Sequence, residues 1–357
     1  MMADKSGFLH RLKSFVLILI ACAAAALLFE ALARIINWQA APEASVGTIR
    51  YGFTPSGLGD MHPDQNGVYT AHPALPYHVR ANTQGFRNRT ELAADRPLVL
   101  ALGDSQTFGL FVHAQDVWTD WLEHYLGRDG IRVQVLNNGI PGASIRDEMA
   151  YFVEKGSRLG AKIVILCVYV NDIADLRAPS TIRAEAMAIE QNVRFSGLRW
   201  FLRQNSALYD SAKAIRASLA QSAIRADNHA APVNAADGAT AAVALAEPNI
   251  PFDEYDRLFN QFTDAVLASG AQLIVAFLPG PGVSQTNERI GEFIDTLSRQ
   301  RGLPFLNLGT ALADRSADEI YLMRQNDPTY PSDIHLSRSG HMLVGSALAA
   351  PVGKLLK

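Results

Sequence analysis

Cysteine is almost missing from this chain: only Cys22, in an apolar N-terminal run, and Cys167, inside an apolar strand pattern, occur among 357 residues. Two such residues supply neither a disulfide framework nor a thiolate metal site, so the fold has to rest on its core. Basic clusters are lacking as well. Lys and Arg total 32 against 35 Asp and Glu, a net charge of -3, and no basic block accompanies a surface helix or an aromatic platform. That excludes the electrostatic footprint of a nucleic-acid binder. His62, His72 and His78 are scattered through loop-like sequence without the spacing of ligands on a shared helix or hairpin, so no metal is expected.

Long apolar runs are confined to one place. Phe15 to Phe29 is almost wholly apolar, Glu30 and Arg34 interrupt only its far end, and Lys5, Arg11 and Lys13 precede it. With about 20 residues needed to span a bilayer, Phe15 to Ile36 suffices if Glu30 and Arg34 reach back to the interface. The expectation is a single-pass anchor in the inner (cytoplasmic) membrane, its basic end cytoplasmic and the rest of the chain periplasmic. Two other readings compete with it: a cleaved signal peptide, and a lipoprotein signal at Leu19-Ile20-Ala21-Cys22. Against the latter, the run stays apolar past Cys22 to Leu28, where a processed lipoprotein turns polar.

Residues 37–96 carry many Gly, Pro, Asn and His with short apolar pieces such as Tyr77-His78-Val79, which predicts loops and short β segments. From Pro97 the pattern changes. Strands are predicted at Leu98 to Leu102, Val133 to Asn137, Ile163 to Val170, Leu273 to Leu278 and Phe305 to Leu308. Helices are predicted between them at Trp118 to Leu126, Ile145 to Arg158, Asp253 to Ser269 and Glu288 to Arg301, with a last one from Ser339 through Leu348. Strand and helix alternation means a parallel sheet covered on both faces. Residues 1–36 are then the cytoplasmic tip and anchor, 37–96 a leading segment, and 97–357 one α/β domain.

That domain is interrupted from Leu176 to Pro251. Arg194, Arg199, Arg203, Lys213, Arg216 and Arg225 alternate there with Phe195, Trp200, Phe201 and Tyr209, followed by an Ala-rich stretch from Ala226 to Glu247. This reads as a helical insertion with a loose connector. Its plain use is a surface helix pair; its functional use is a lid over a site, or a basic face on anionic lipid.

Chemistry concentrates where strands end. The apolar run Leu98 to Leu102 stops at Gly103-Asp104-Ser105, and buried parallel strands end at the ligand-binding edge of such sheets. A serine is a poor nucleophile at its free pKa; it needs a base, a carboxylate to orient that base, and donors for the oxyanion. Asp333-Ile334-His335, before the last helix, offers His335 as base and Asp333 as its partner. Gly142, in the turn Gly139-Ile140-Pro141-Gly142, and Asn171, after the third strand, offer with the Ser105 amide a three-donor oxyanion hole. Each residue also has an ordinary structural use: Ser105 as a helix cap, Gly142 and Asn171 as turn formers, His335 as a surface histidine. His341, Asp104 and Asp172 are expected to pack or hydrogen-bond around the rim.

These blocks, Gly103-Asp104-Ser105, Gly139 to Gly142, Asn171-Asp172 and Asp333 with His335, resemble in order those of the SGNH hydrolases, the GDSL esterase and lipase superfamily. The resemblance spans Pro97 to about Pro351. It implies a flavodoxin-like three-layer α/β/α sandwich with a five-stranded parallel sheet and no cofactor. It also implies Ser105 as nucleophile, His335 as base, Asp333 as its partner, and Gly142 and Asn171 as oxyanion donors. Two positions depart from the common pattern: Asp333 precedes the histidine by two residues, with Ser332 at the usual third place, and Tyr169 stands where many members have glycine. The expected activity is hydrolysis of carbohydrate or lipid O-acyl esters through an acyl-serine. The alternatives are O-acetyl transfer to a cell-envelope polysaccharide, in company with that polysaccharide's machinery, and a non-catalytic binding module on the same scaffold.

Overall fold

The computed structural model describes residues 5–39, 51–53, 59–61, 63, 66–69, 77–176, 206, 250–282, 284–322 and 333–357. His62, His72 and the predicted insertion, apart from Leu176, Ser206, Ile250 and Pro251, lie outside the described residues. The chain separates into two units, Met1–Pro42 with Gly197–Val233, and Glu43–Ser196 with Asn234–Lys357.

In the first unit, helix α1 covers Lys5–Gln39. Its stretch Lys13–Leu32, 20 residues, is long and apolar enough to cross a membrane. Phe15, Leu17, Leu27 and Leu28 on it are exposed. The Ser206 hydroxyl donates to the Glu30 carboxylate at 2.7 Å.

The second unit begins with two short antiparallel pairs, β1 (Tyr51–Phe53) with β2 (Gly59–Met61) and β3 (Asn66–Tyr69) with β4 (Tyr77–Arg80). The alternation then follows: β5 (Leu98–Gly103), α2 (Ser105–Phe108), α3 (Trp118–Arg128), β6 (Gln134–Gly139), α4 (Ile145–Glu154) and β7 (Ile163–Tyr169). After the insertion come α5 (Phe252–Ala268), β8 (Gln272–Leu278), α6 (Gln285–Gln300), β9 (Phe305–Asn307), α7 (Gly309–Leu312), α8 (Ala317–Ile320) and α9 (Arg338–Leu356). The five strands from β5 onward pair in parallel in the order β6-β5-β7-β8-β9. This is the flavodoxin-like order expected from the sequence. Every residue of β5, β6 and β7 is buried, which is why β5 and β7 read as continuous apolar runs rather than alternating ones. Helix α3 packs on α9 and α4 on α5, while Phe252 and Tyr255 of α5 meet Phe293 of α6, forming the two helical layers.

Two helix ends differ from expectation. Helix α4 stops at Glu154, and Gly156–Arg158 forms a separate 3-10 turn, because the chain at Gly156 runs close to the core: a Cβ there would meet Phe152 at 2.8 Å and Leu100 at 3.2 Å. Helix α9 continues through Pro351 to Leu356 instead of ending near Leu348. Packing holds it, with Gly345 against Trp118 and Trp121 of α3 and Gly353 against Leu126 and Ile131.

Strand β6 is an outer strand, and the leading segment covers it. The Arg87 N–H donates to the Asn137 carbonyl at 3.0 Å. Asn88 Oδ1 accepts from the Asn137 N–H at 2.9 Å, and Asn88 Nδ2 donates to the Val135 carbonyl at 2.7 Å. Unpaired edge groups invite association with another chain, and here they are satisfied internally.

His341 is buried between α9 and α3, its Nδ1 accepting the N–H of Trp118 at 3.2 Å. That N–H belongs to the first turn of α3 and has no partner within its own helix. Burial, assisted by the charges of Arg87 and His335, pushes the imidazole down to about 3. The folded state therefore holds His341 neutral while the unfolded chain takes up a proton below about 6.5, so stability is complete above that pH and falls as pH drops toward 3. At pH 5 this group alone costs about 2 kcal/mol. Urea unfolding of the full chain at pH 7.5 and pH 5 is expected to show that loss. In His341→Asn, whose Oδ1 keeps an acceptor for Trp118, the component should vanish; an unchanged difference between the two pH values refutes the assignment.

Candidate active site

At the carboxyl edge of the sheet, Gly103 is flanked in register by Gly139 of β6 and Cys167 of β7. The chain turns through Asp104 into α2, which rests on Gly139 so closely that a Cβ there would come within 2.0 Å of the Phe108 nitrogen. The cap of α2 is Asp104, whose carboxylate accepts the Gln106 N–H at 2.9 Å, and not Ser105 as its ordinary structural use would have it. Ser105 is the first helical residue, and its hydroxyl is not consumed by capping.

That hydroxyl meets the other end of the chain. Ser105 Oγ lies 2.8 Å from His335 Nε2, and His335 Nδ1 lies 2.5 Å from Asp333 Oδ1. The same carboxylate oxygen accepts the backbone N–H of His335 at 2.9 Å, so the two-residue spacing closes as a tight turn around one oxygen. With its proton on Nδ1 facing Asp333, the imidazole turns the Nε2 lone pair to Ser105. Asp104 Oδ2 is also near Ser105 Oγ, but at 3.4 Å it is the weaker partner. The side chains of His335 and Asp333 are each 16% exposed, sheltered yet reachable from solvent.

The histidine loop is held by a residue that motif reading passed over. Gln106, buried beside Ser105, donates from Nε2 to the Ile334 carbonyl at 3.1 Å and accepts at Oε1 the Leu336 N–H at 3.0 Å. One amide thus ties both sides of His335 to α2. The only sequence signal was a polar residue directly after the serine, in a helix too short to need a solvated face.

The two expected oxyanion donors share this edge of the sheet. Gly142 sits in the turn after β6 with φ +74°, a conformation suited to glycine. The turn is anchored by the Ile140 N–H on the Gly103 carbonyl at 3.0 Å. Asn171 follows β7, but its amide nitrogen is not simply displayed. It donates to Asp175 Oδ2 at 2.8 Å, and its amide helps to lower the neighbouring Asp104 carboxyl. Tyr169, at the unusual position, is buried.

Behind the serine lies buried acidity. Asp104, Glu148 and Asp172 are all nearly inaccessible. Burial raises the Asp104 carboxyl, against the pull of the Gln106 N–H and the charge of His335. Glu148 and Asp172 are held well above the ordinary carboxylate range, by burial first and then by the charge of Asp104. Asp172 also accepts the Tyr169 N–H at 2.9 Å, tying down the end of β7. Asp104 and Asp172 thus hold backbone N–H groups at this edge, and His341 holds the start of α3. Among the described residues no group of three or more His, Cys, Asp and Glu is arranged to hold a metal.

One wall is aromatic. Phe111 packs edge-on against His335, ring centroids 5.5 Å apart at 73°, and against Tyr77 of β4 at 5.7 Å and 67°. Its φ of +63° makes it the one non-glycine residue with positive φ among the described residues, at a cost of about 1–2 kcal/mol. Buried Arg87 holds the loop, its guanidinium donating to the carbonyls of Phe108, Gly109 (2.6 Å) and Val112 (2.7 Å).

Several solved structures are similar to this chain. A catalytic mutant of Axe2, an acetylxylan esterase from Geobacillus stearothermophilus, is 14% identical with a TM-score of 0.42, over 75% of this chain and 96% of that one. LAE5, an alpha/beta hydrolase enzyme from the metagenome of Lake Arreo, Spain, is 15% identical with a TM-score of 0.42, over 74% and 98%. The lipase/acylhydrolase from Enterococcus faecalis is 13% identical with a TM-score of 0.44, over 73% and 97%. No curated protein sequence matches. The family model for the GDSL-like lipase/acylhydrolases matches residues 101–343, from inside β5 into α9. Because that match covers more than half of the chain, the chain belongs to the GDSL-like lipase/acylhydrolase family, whose members are ester-hydrolysing enzymes.

Proposed function

We propose that this chain is a membrane-anchored, extracytoplasmic hydrolase of carbohydrate or lipid O-acyl esters, acting through an acyl-Ser105 intermediate. The observation that carries the reading is the continuous chain from Ser105 Oγ through His335 to Asp333, at 2.8 and 2.5 Å. Ser105 Oγ attacks the ester carbonyl while its proton passes to His335 Nε2, and Asp333 stabilises the imidazolium. The carbonyl oxygen gains the negative charge and is received by the N–H groups of Ser105 and Gly142, joined by the Asn171 amide once it leaves Asp175. The ester C–O bond then breaks, and His335 returns the proton to the departing alcohol. Water, deprotonated by His335, adds to the acyl-serine and releases the acid and free Ser105. The anchor reading is supported by the apolar stretch of α1, and the extracytoplasmic placement by the basic residues before it.

Three substitutions test this in the full chain solubilised in detergent. Ser105→Ala is expected to reduce hydrolysis of 4-nitrophenyl acetate to the uncatalysed background and to abolish labelling by a fluorophosphonate; wild-type turnover in this variant rules the mechanism out. Acetyl appearing on an added oligosaccharide faster than free acetate would instead make the enzyme a transferase using the same acyl-serine. Asp333→Asn offers an amide donor to Nδ1 and so favours the proton on Nε2, for which a drop in kcat of about 10³-fold or more is expected. Gln106→Leu removes both ties to the histidine loop, and kcat is expected to fall about 10- to 100-fold while circular dichroism stays native.

A further inference from the structure

We propose that Phe111 is a specificity-determining residue, the wall that receives the alcohol half of the substrate, and that the leading segment holds it there. The proposal rests on Ser105 and His335 acting as nucleophile and base. In that chemistry His335 Nε2 hands its proton to the departing alkoxide, so the alcohol lies beside the imidazole while the acyl group lies toward the oxyanion donors. The ring set against His335 is that of Phe111, half-buried and 5.5 Å away between centroids. A bulky residue persists in a left-handed conformation only where its surroundings over-determine it, and such residues cluster at working sites.

The surroundings here come from outside the family-matched residues 101–343. Arg87 ties the carbonyls of Phe108 and Gly109 before Phe111 and of Val112 after it. Gly109, with φ +81°, leaves room for that guanidinium: a Cβ would come within 2.8 Å of Arg87 Nη1. Tyr77 backs the Phe111 ring, and Met61, Tyr77, Val79, Ala81 and Phe108 form a small core of their own against which Phe111 packs. Next in the chain, His113 Nδ1 accepts the backbone N–H of His78 at 3.0 Å. An aromatic wall favours an alcohol with a flat apolar face, a ring alcohol, which is either a phenol or the C–H face of a sugar.

The test measures kcat/KM of the full chain for phenyl acetate, an acetylated pyranoside, ethyl acetate and phenyl butyrate. Phe111→Gly suits the native φ and so preserves the fold. It is expected to lower kcat/KM at least about tenfold for one or both ring acetates and to change ethyl acetate by less than about twofold. The ratio of phenyl butyrate to phenyl acetate should stay the same. The pyranoside and phenyl arms show which ring the wall serves, and Phe111→Tyr should restore the ring preference. Arg87→Met is expected to produce the same shift in alcohol preference, which a merely stabilising role does not. An equal loss on all four esters, or a change confined to the acyl ratio, overturns the proposal. Fluorophosphonate labelling of Ser105 separates the two levels: an unlabelled wild type sinks the hydrolase reading itself, whereas a labelled wild type with unchanged alcohol ratios sinks only the role of Phe111.

Discussion

Two hydrogen bonds from one side chain set the relation between the beginning and the end of this domain. Gln106 grips the backbone on either side of His335, so the imidazole is fixed to the same short helix that presents Ser105. The loop bearing His335 lies between α8 and α9, and among the described residues it is also tied by the Leu322 N–H on the His335 carbonyl and the Ser337 N–H on the Ile320 carbonyl of α8. Without the amide the loop backbone would lose its tie to α2, and the imidazole would rely on Asp333, Ser105 and the ring of Phe111. One bond is buried and the other partly so, and a buried donor or acceptor without a partner is costly, so the loop has a reason to stay closed on α2. Asp104 completes this arrangement by capping α2, which leaves the Ser105 hydroxyl to face the histidine.

The acidic ground behind the serine acts on the same geometry. Burial raises the carboxyls of Glu148 and Asp172, the charge of Asp104 raises both further, and Glu148 adds to the rise at Asp172. The upward shift favours their neutral forms, which sit in the interior at modest cost, whereas a charged and unpaired carboxylate is costly there. Asp104 differs in having a partner of opposite sign, His335, when that ring is protonated. In the proposed mechanism a positive charge on the imidazole would be answered by Asp333 at one ring nitrogen and by Asp104 across the serine.

Much of this was legible in the sequence, and the reasons are particular. Strands β5, β7 and β8 announce themselves because burial on both faces removes polar residues from them. Ser105, Gly142, Asn171, Asp333 and His335 were legible because each stands at a strand end or before a helix, where a polar or small residue interrupts an apolar pattern. Gln106 was not, since its partners are a carbonyl and an N–H more than two hundred positions away, and backbone groups carry no sequence signature. Phe111 was hidden for a different reason: no propensity places an aromatic residue in a left-handed turn. The close of α4 at Gly156 depends on how near Leu100 lies, which periodicity does not report.

The path of the leading segment has a practical side. Residues 87–93 line the outer strand β6, with Gln134 Oε1 accepting the Ala93 N–H at 2.8 Å, and Tyr77 and Arg87 reach the loop beside His335. A soluble fragment trimmed to the family-matched residues would bare the hydrogen-bonding edge of β6, invite aggregation along it, and release the loop that Arg87 restrains. The smallest piece that keeps both intact has to be cut on the far side of β3 and β4. The second half of the leading segment is thus structural wall, a part of the enzyme's body rather than a link leading up to it.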